Sequence, residues 1–104
     1  MPTPSLDKDG YLVQLADWNE AVAQQLAQNQ GIELADEHLT LIHLVRAFYE
    51  KFEVAPAMRP LVKLVREQLG EDKGNSIYLL QLFPGSPAKS LAKIAGLPRP
   101  ANCL

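Results

Sequence analysis

The residue with the most reactive side chain is Cys103, the only cysteine of a 104-residue chain and the residue next to its C-terminal end. A single cysteine excludes an internal disulfide framework and a zinc or iron–sulfur site built from several cysteines. Chemistry at Cys103 is therefore that of a thiol or thiolate, which suits a compartment that keeps thiols reduced. The alternative is an incidental exposed thiol, since chain ends seldom enter a core.

Basic residues precede Cys103 along the C-terminal part of the chain. After Asp72 the sequence has no acidic side chain but still contains Lys89, Lys93 and Arg99. Cations favour the charged forms of a thiol and of a persulfide, and a thiolate can attack the outer sulfur of a persulfide. These three cations are therefore expected to stabilise an anionic sulfur on the thiol, which is one of the needs of a cysteine that carries sulfur as a persulfide. The same charges could instead form a solvated face, or dock an acidic partner or a transfer RNA complex.

The two histidines give no indication of a metal site. His38 and His43 are five positions apart, so they do not share one helical face, and no His-Glu-x-x-His pattern joins them. We predict hydrogen-bonded structural roles for both residues, and we expect neither a metal nor a cofactor.

Hydrophobic periodicity and turn signals predict an α+β domain that is mostly helical. The Asp9-Gly10 pair between short apolar segments predicts a small N-terminal β-hairpin. About five helices are expected to pack against it. The first helix is expected at about 17–30 with a capping box from Asp17, and a longer second helix is capped by Asp36. The third helix runs from Pro56 to Leu69. Two short helices follow, one that begins at Asn75 or Ser76 and one that begins at Ser86-Pro87.

The chain is expected to divide into a globular domain, residues 1–96, and a flexible, partly extended C-terminal arm, residues 97–104. Pro98 and Pro100 remove amide donors and bias the preceding residues away from helical geometry. Cys103 is therefore predicted to lie on this arm, where it can be presented to other proteins.

Composition limits the class of protein. Hydrophobic residues make up 47% and charged residues 21% of the sequence, which is typical of a folded domain. No apolar run is long enough for a membrane span, and the first residues lack the features of a secretory signal, so the expected location is the cytoplasm. The net charge of −2 argues against general nucleic-acid binding. A winged-helix-like nucleic-acid-binding regulator nevertheless stays open as an alternative.

Several motifs together resemble the DsrC/TusE family over nearly the whole chain. They are Asp9-Gly10-Tyr11-Leu12 with Asp17-Trp18, Pro56-Ala57-Met58-Arg59, Lys73-Gly74-Asn75-Ser76, Leu82-Phe83-Pro84, and Lys93-Ile94-Ala95-Gly96-Leu97-Pro98-Arg99-Pro100 followed by Cys103. The resemblance implies an α+β fold in which a small β-meander or hairpin packs on helices. It also implies that the cysteine next to the C-terminus accepts sulfur, a role that falls on Cys103.

The resemblance also separates two branches of the family. Members that act with dissimilatory sulfite reductase carry a second cysteine eleven residues before the last one, where this chain has Ala92. The single thiol points to the TusE branch. That branch implies a TusBCD-type sulfur donor complex and an MnmA-type thiouridylase that makes 2-thiouridine in transfer RNA, with the transfer RNA as a further contact. A single-cysteine partner of sulfite reductase is the alternative.

Overall fold

The computed structural model describes residues 4–100, which form a bundle of five α-helices. A short 3₁₀ turn at Leu15–Asp17 precedes the first helix. The helices are α1, Glu20–Asn29; α2, Asp36–Phe52; α3, Met58–Leu69; α4, Ser76–Leu82; and α5, Pro87–Ile94. None of these helices has the length and apolar character needed to cross a membrane.

Two helices begin at asparagine caps. Asn19 Oδ1 accepts the Val22 N–H at 2.9 Å at the start of α1, and Asn75 Oδ1 accepts the Tyr78 N–H at 2.9 Å at the start of α4. Such bonds satisfy amides that have no partner within the helix. The capping box predicted from Asp17 is wrong, because Asp17 belongs to the 3₁₀ turn and α1 begins three residues later.

Helix α2 begins with a histidine contact in place of the predicted Asp36 cap. The N-cap residue is Ala35, whose backbone N–H donates to His38 Nδ1 at 3.0 Å. Since Nδ1 accepts this bond, Nε2 carries the proton and donates it to the Leu82 carbonyl at 2.9 Å. The buried His38 ring therefore joins the start of α2 to the end of α4, which is a structural role.

Helix α5 lies at the centre of the bundle and packs against each of the other four helices. Its inward face is apolar, Pro87 occupies its first turn, and Gly96 follows its last turn in a left-handed conformation. The largest fully buried side chains of the core are Phe83, Leu41, Ile42, Leu61, Leu79, Leu91, Ile94, Leu97, Val45 and Val65. The central position of α5 means that the bundle fixes the point from which the C-terminal residues depart.

The predicted α+β fold with an N-terminal β-hairpin or meander is wrong for the described residues. Between residues 4 and 100 the structure contains no strand, only a single antiparallel bridge between Leu6 and Leu12. Asp7 Oδ1 instead accepts the N–H groups of Asp9 and Tyr11, which closes a compact turn on a side chain. Tyr11 and Leu12 are both buried although they are adjacent, a pattern that a half-buried strand cannot produce.

Candidate functional site

The C-terminal residues leave α5 through a Schellman motif. Leu97 N–H donates to the Ala92 carbonyl at 2.9 Å, and Gly96 N–H donates to the Lys93 carbonyl at 3.1 Å. Gly96 adopts a φ of +75°, a left-handed conformation that glycine reaches without a steric penalty. Leu97 is buried, so the chain is still part of the core one residue after the motif.

Trp18 and Arg46 fix the C-terminal end of α5 from outside. Trp18 Nε1 donates to the Ile94 carbonyl at 2.9 Å, and Arg46 Nη1 donates to the Ala95 carbonyl at 2.6 Å. The Arg46 guanidinium also lies over the Trp18 ring, 3.9 Å from its centroid. Burial lowers the pKa of Arg46 from its ordinary value, but a guanidinium stays charged at neutral pH. These contacts satisfy carbonyls that a helix end leaves without partners.

Arg99 is held by the N-terminal turn. Its guanidinium pairs with Asp7 at 3.3 Å and hydrogen-bonds Asp9, and it lies over the Tyr11 ring at 4.7 Å from the centroid. The Tyr11 N–H lowers the pKa of Asp7 most strongly, with further contributions from the Asp9 N–H and Arg99. The hydrogen bond to Asp9 is the main cause of a raised Arg99 pKa. We call the contact of Arg99 with Asp7, Asp9 and Tyr11 the arginine clamp.

The clamp forms one wall of an open groove of about 600 Å³, which we call the arm groove. Its lining residues are Asp9, Tyr11, Gln30, Ser86, Lys89, Ser90, Lys93, Arg99 and Pro100. The groove therefore brings together all three cations that the sequence predicted as supporting residues. Lys93 Nζ lies 5.1 Å from the centroid of the Tyr11 ring. The Arg99 guanidinium contacts the same ring.

The three cations are not equivalent. Arg99 faces two carboxylates, whereas neither Lys89 nor Lys93 forms an ion pair with any residue of the 4–100 segment. The lysines therefore supply most of the uncompensated positive charge of the groove. Cys103 lies outside the described residues and follows Pro100 by three positions in the chain. Among residues 4–100, no group of three or more histidine, aspartate or glutamate side chains is placed to hold a metal ion.

Sequence reasoning missed the residues that hold the base of the arm. Asp9 is interpreted above only as part of a hairpin turn, and Trp18 only as part of a family motif. A signal was present in the sequence, since Asp7-Lys8-Asp9 offers two carboxylates and Arg99 is the last cation of the chain. Nothing in the spacing shows, however, that segments 90 residues apart meet.

Comparison with known proteins supports the resemblance deduced from the motifs. A family model described as DsrC like protein matches residues 2–104. Sulfurtransferase TusE of Sodalis glossinidius (strain morsitans) is 52% identical over 100 residues, which are 96% of this chain and 93% of the relative.

Two solved structures resemble this one closely. The NMR structure of Allochromatium vinosum DsrC has a TM-score of 0.87 and 45% identity, covering 95% of this chain and 88% of its own. The oxidized gamma-subunit of the dissimilatory sulfite reductase (DsrC) from Archaeoglobus fulgidus has a TM-score of 0.84 and 40% identity, covering 97% of this chain and 92% of its own. These likenesses support a role in sulfur transfer. The family-model match over nearly the whole chain, together with the close relative, shows that this chain belongs to the DsrC-like family.

Proposed function

We propose that this chain is a sulfurtransferase of the persulfide-relay type, which accepts sulfur on Cys103 and passes it to a second protein. The observation that carries this proposal is the arm groove, where Lys89, Lys93 and Arg99 meet at the point from which the last residues of the chain depart. A thiol three positions beyond Pro100 is close enough in the chain to lie within the field of these cations.

The relay needs two exchange steps and no cofactor. In the first, the Cys103 thiolate attacks the outer sulfur of a donor cysteine persulfide, the donor sulfur–sulfur bond breaks, and the donor cysteine leaves as a thiolate. In the second, a thiolate of the acceptor attacks the outer sulfur now carried by Cys103. The sulfur–sulfur bond of the Cys103 persulfide breaks, and Cys103 leaves as a thiolate again. Electrons balance in both steps, so neither requires an external oxidant or reductant.

The charges of the groove support the anionic species in these steps. Lys89 and Lys93 lower the free energy of a nearby thiolate or persulfide anion because both charges remain uncompensated within the described residues. Arg99 contributes less to this field because Asp7 and Asp9 offset its charge. Its larger contribution is to hold the base of the arm beside the two lysines.

The proposed partners follow from the likeness to Sulfurtransferase TusE. We assign a TusBCD-type complex as the donor and an MnmA-type transfer RNA thiouridylase as the acceptor, so that the sulfur reaches the 2-thiouridine of the wobble position. The protein would work in the cytoplasm, where thiols stay reduced. The nucleic-acid-binding alternative relied on an N-terminal β-hairpin as its wing, and residues 4–100 contain only the single bridge between Leu6 and Leu12.

A partnership with sulfite reductase is the second candidate, because the structural neighbour from Archaeoglobus fulgidus is the gamma-subunit of the dissimilatory sulfite reductase. Ala92 favours the sulfur relay to transfer RNA over this second candidate, because the branch that acts with sulfite reductase is expected to have a second cysteine at this position. Ala92 is buried in α5, and its carbonyl accepts the Leu97 N–H. The described structure therefore uses this position for packing and for the Schellman motif.

The test is a reconstituted transfer with a donor complex carrying radiolabelled persulfide sulfur and a thiouridylase with transfer RNA. The wild-type chain should carry label into 2-thiouridine, and Cys103→Ser should abolish this while keeping its thermal midpoint. Lys63→Gln, which removes a single exposed charge on α3, is the matched surface control and should transfer normally. Label transfer by Cys103→Ser would refute the proposal. In a parallel reaction with sulfite reductase in place of the thiouridylase, label delivered only to sulfite reductase would favour the second candidate.

A further inference from the structure

The polar face of α5 contains a short sequence repeat. Ser86-Pro87-Ala88-Lys89 is followed by Ser90-Leu91-Ala92-Lys93, so serine and lysine both recur after four positions. Side chains three and four positions apart share one face of an α-helix. The repeated serines and lysines line the arm groove, whereas Ala88, Leu91 and Ala92 are buried in the core. Helix α5 and its N-cap residue therefore present hydroxyl and ammonium groups to the groove.

Two donor groups beside these lysines are not used by the fold. Ser86 is the N-cap residue of α5, but its hydroxyl makes no capping bond to the helix. Gln30 lines the groove from the end of α1, and its buried Nε2 has no hydrogen-bond partner among residues 4–100. Folded proteins rarely leave a buried amide group unpaired. The terminal torsion of glutamine is broad, so this amide can turn toward an acceptor in the groove.

The uncompensated charge of the groove lies along α5. Among the described lining residues Asp9 is the only acid, and Arg99 neutralises it in the arginine clamp. Lys89 and Lys93 form no ion pair within residues 4–100. Ser86 also lies at the N-terminal end of α5, where the helix dipole favours an anion. The charges therefore direct an anion to the α5 face rather than to the clamp.

The groups on this face suit an anion with several acceptor oxygens. Ammonium, hydroxyl and primary amide groups can all donate, and a phosphate group offers more acceptor oxygens than a carboxylate. The Ser86–Lys89 and Ser90–Lys93 steps lie about 6 Å apart along the helix axis, so two phosphates of one strand can each meet a serine and a lysine.

We infer that the arm groove binds a phosphate group on this face of α5, as the free anion or in the backbone of an RNA strand. This inference goes beyond the proposed function, because neither sulfur exchange step involves a phosphate group. An RNA strand bound here would lie beside Pro100, which also lines the groove.

The first measurement is a titration of the whole reduced chain with inorganic phosphate, followed through the backbone amide NMR shifts of residues 86–93. Phosphate should cause saturable shifts that chloride at equal ionic strength does not cause. Lys89→Gln should weaken the phosphate affinity by about tenfold, because it removes a charged donor. Lys63→Gln removes an exposed charge on α3 and is the matched control, which should bind phosphate as the wild type does.

Gln30→Met tests the unpaired amide separately. Methionine is similar in size but has no donor, so the phosphate affinity should fall by at least about threefold. The thermal midpoint should not fall, because Gln30 Nε2 has no partner to lose within residues 4–100. A lower thermal midpoint with an unchanged phosphate affinity would show a structural amide and contradict the inference.

A short oligouridylate distinguishes the two sources of phosphate. If two successive phosphates bind, its affinity should exceed that of free phosphate and should fall with salt at a logarithmic slope of about −1.4. An oligouridylate that binds no more tightly than inorganic phosphate identifies the free anion as the ligand. The inference is overturned if neither ligand causes saturable shifts, if a poly-glutamate peptide of equal charge binds as tightly as they do, or if Lys63→Gln weakens binding as much as Lys89→Gln.

Phosphate binding is measured without a sulfur donor, so the inference and the proposed function can fail separately. If phosphate binds but Cys103 accepts no sulfur, only the sulfur-carrier proposal fails. If Cys103 accepts sulfur but neither inorganic phosphate nor the oligouridylate binds, only the phosphate site fails.

Discussion

Replacing Gly96 by alanine tests whether the close approach of Trp18 fixes the base of the arm. A Cβ at position 96 would lie 2.6 Å from Trp18 Cδ1, 3.0 Å from Cγ and 3.1 Å from Cβ. The first distance is far shorter than a van der Waals contact, so the indole must move. The φ of +75° adds a second cost, because alanine disfavours the left-handed conformation.

These two costs can be separated within the chain. The left-handed conformation costs alanine about 1–2 kcal/mol, and forcing a methyl group into a packed contact adds about 1–3 kcal/mol. Gly96→Ala should therefore destabilise the protein by about 3 kcal/mol, which corresponds to at least about 12 °C in thermal midpoint for a domain of this size. Gly85→Ala is the matched control, since its φ is +90° but nothing lies within 4 Å of its Cβ position.

The assay is chemical denaturation of four proteins in a double-mutant cycle: wild type, Gly96→Ala, Trp18→Ala and the double variant. In the Trp18→Ala background the two contacts with the indole are removed and only the 3.1 Å contact with Cβ of residue 18 remains, so Gly96→Ala should cost little more than Gly85→Ala. The coupling free energy should then be about 1–3 kcal/mol. Equal costs for Gly96→Ala and Gly85→Ala in the wild-type background would refute the Trp18 contact as the reason for glycine at position 96.

Three further predictions concern other contacts of the same structure. Asn75→Ala should cost about 1 kcal/mol of unfolding free energy, because the Tyr78 N–H loses its cap at the start of α4; an unchanged denaturation midpoint would contradict this. Asp7 has a pKa below its ordinary 3.8, so its stabilising contribution is present above pH 3.8 and is lost as the pH falls through the lowered value. Asp7→Asn should thus show a weaker acid-induced drop in thermal midpoint than wild type. The double variant Lys89→Gln/Lys93→Gln should slow sulfur acceptance by about tenfold and reduce the salt dependence of its rate, whereas the control Lys63→Gln should change neither. Equal rates for the double variant and the control would reject the role of the groove.

The sequence predicted the helices well where local signals were strong. Gly70 and Gly96 follow the ends of α3 and α5, and Asn75 caps α4, because these residues act on the backbone next to them. The hairpin prediction failed because Asp9-Gly10 marks a turn without deciding what flanks it. The Asp7 side chain accepts the N–H groups of Asp9 and Tyr11 within the turn, and the pairing beyond the turn is limited to the single bridge between Leu6 and Leu12.

The candidate site was predictable in part. Lys89 and Lys93 are one helical turn apart on α5, so their shared groove follows from local geometry. The ion pairs of Arg99 with Asp7 and Asp9 depend on the tertiary packing of the chain ends, which no local pattern specifies. The same holds for Trp18, whose bond to the Ile94 carbonyl spans 76 positions.

The most direct test of the central claim is the intact mass of the protein after exposure to a persulfide donor, measured with and without a reductant. We expect the wild-type mass to increase by one sulfur atom and the reductant to remove this increase. Peptide mapping should place the added sulfur on Cys103, and the Cys103→Ser variant should show no increase. A wild-type chain that gains no sulfur, or a Cys103→Ser chain that gains it equally, would contradict the role of Cys103 as the sulfur acceptor.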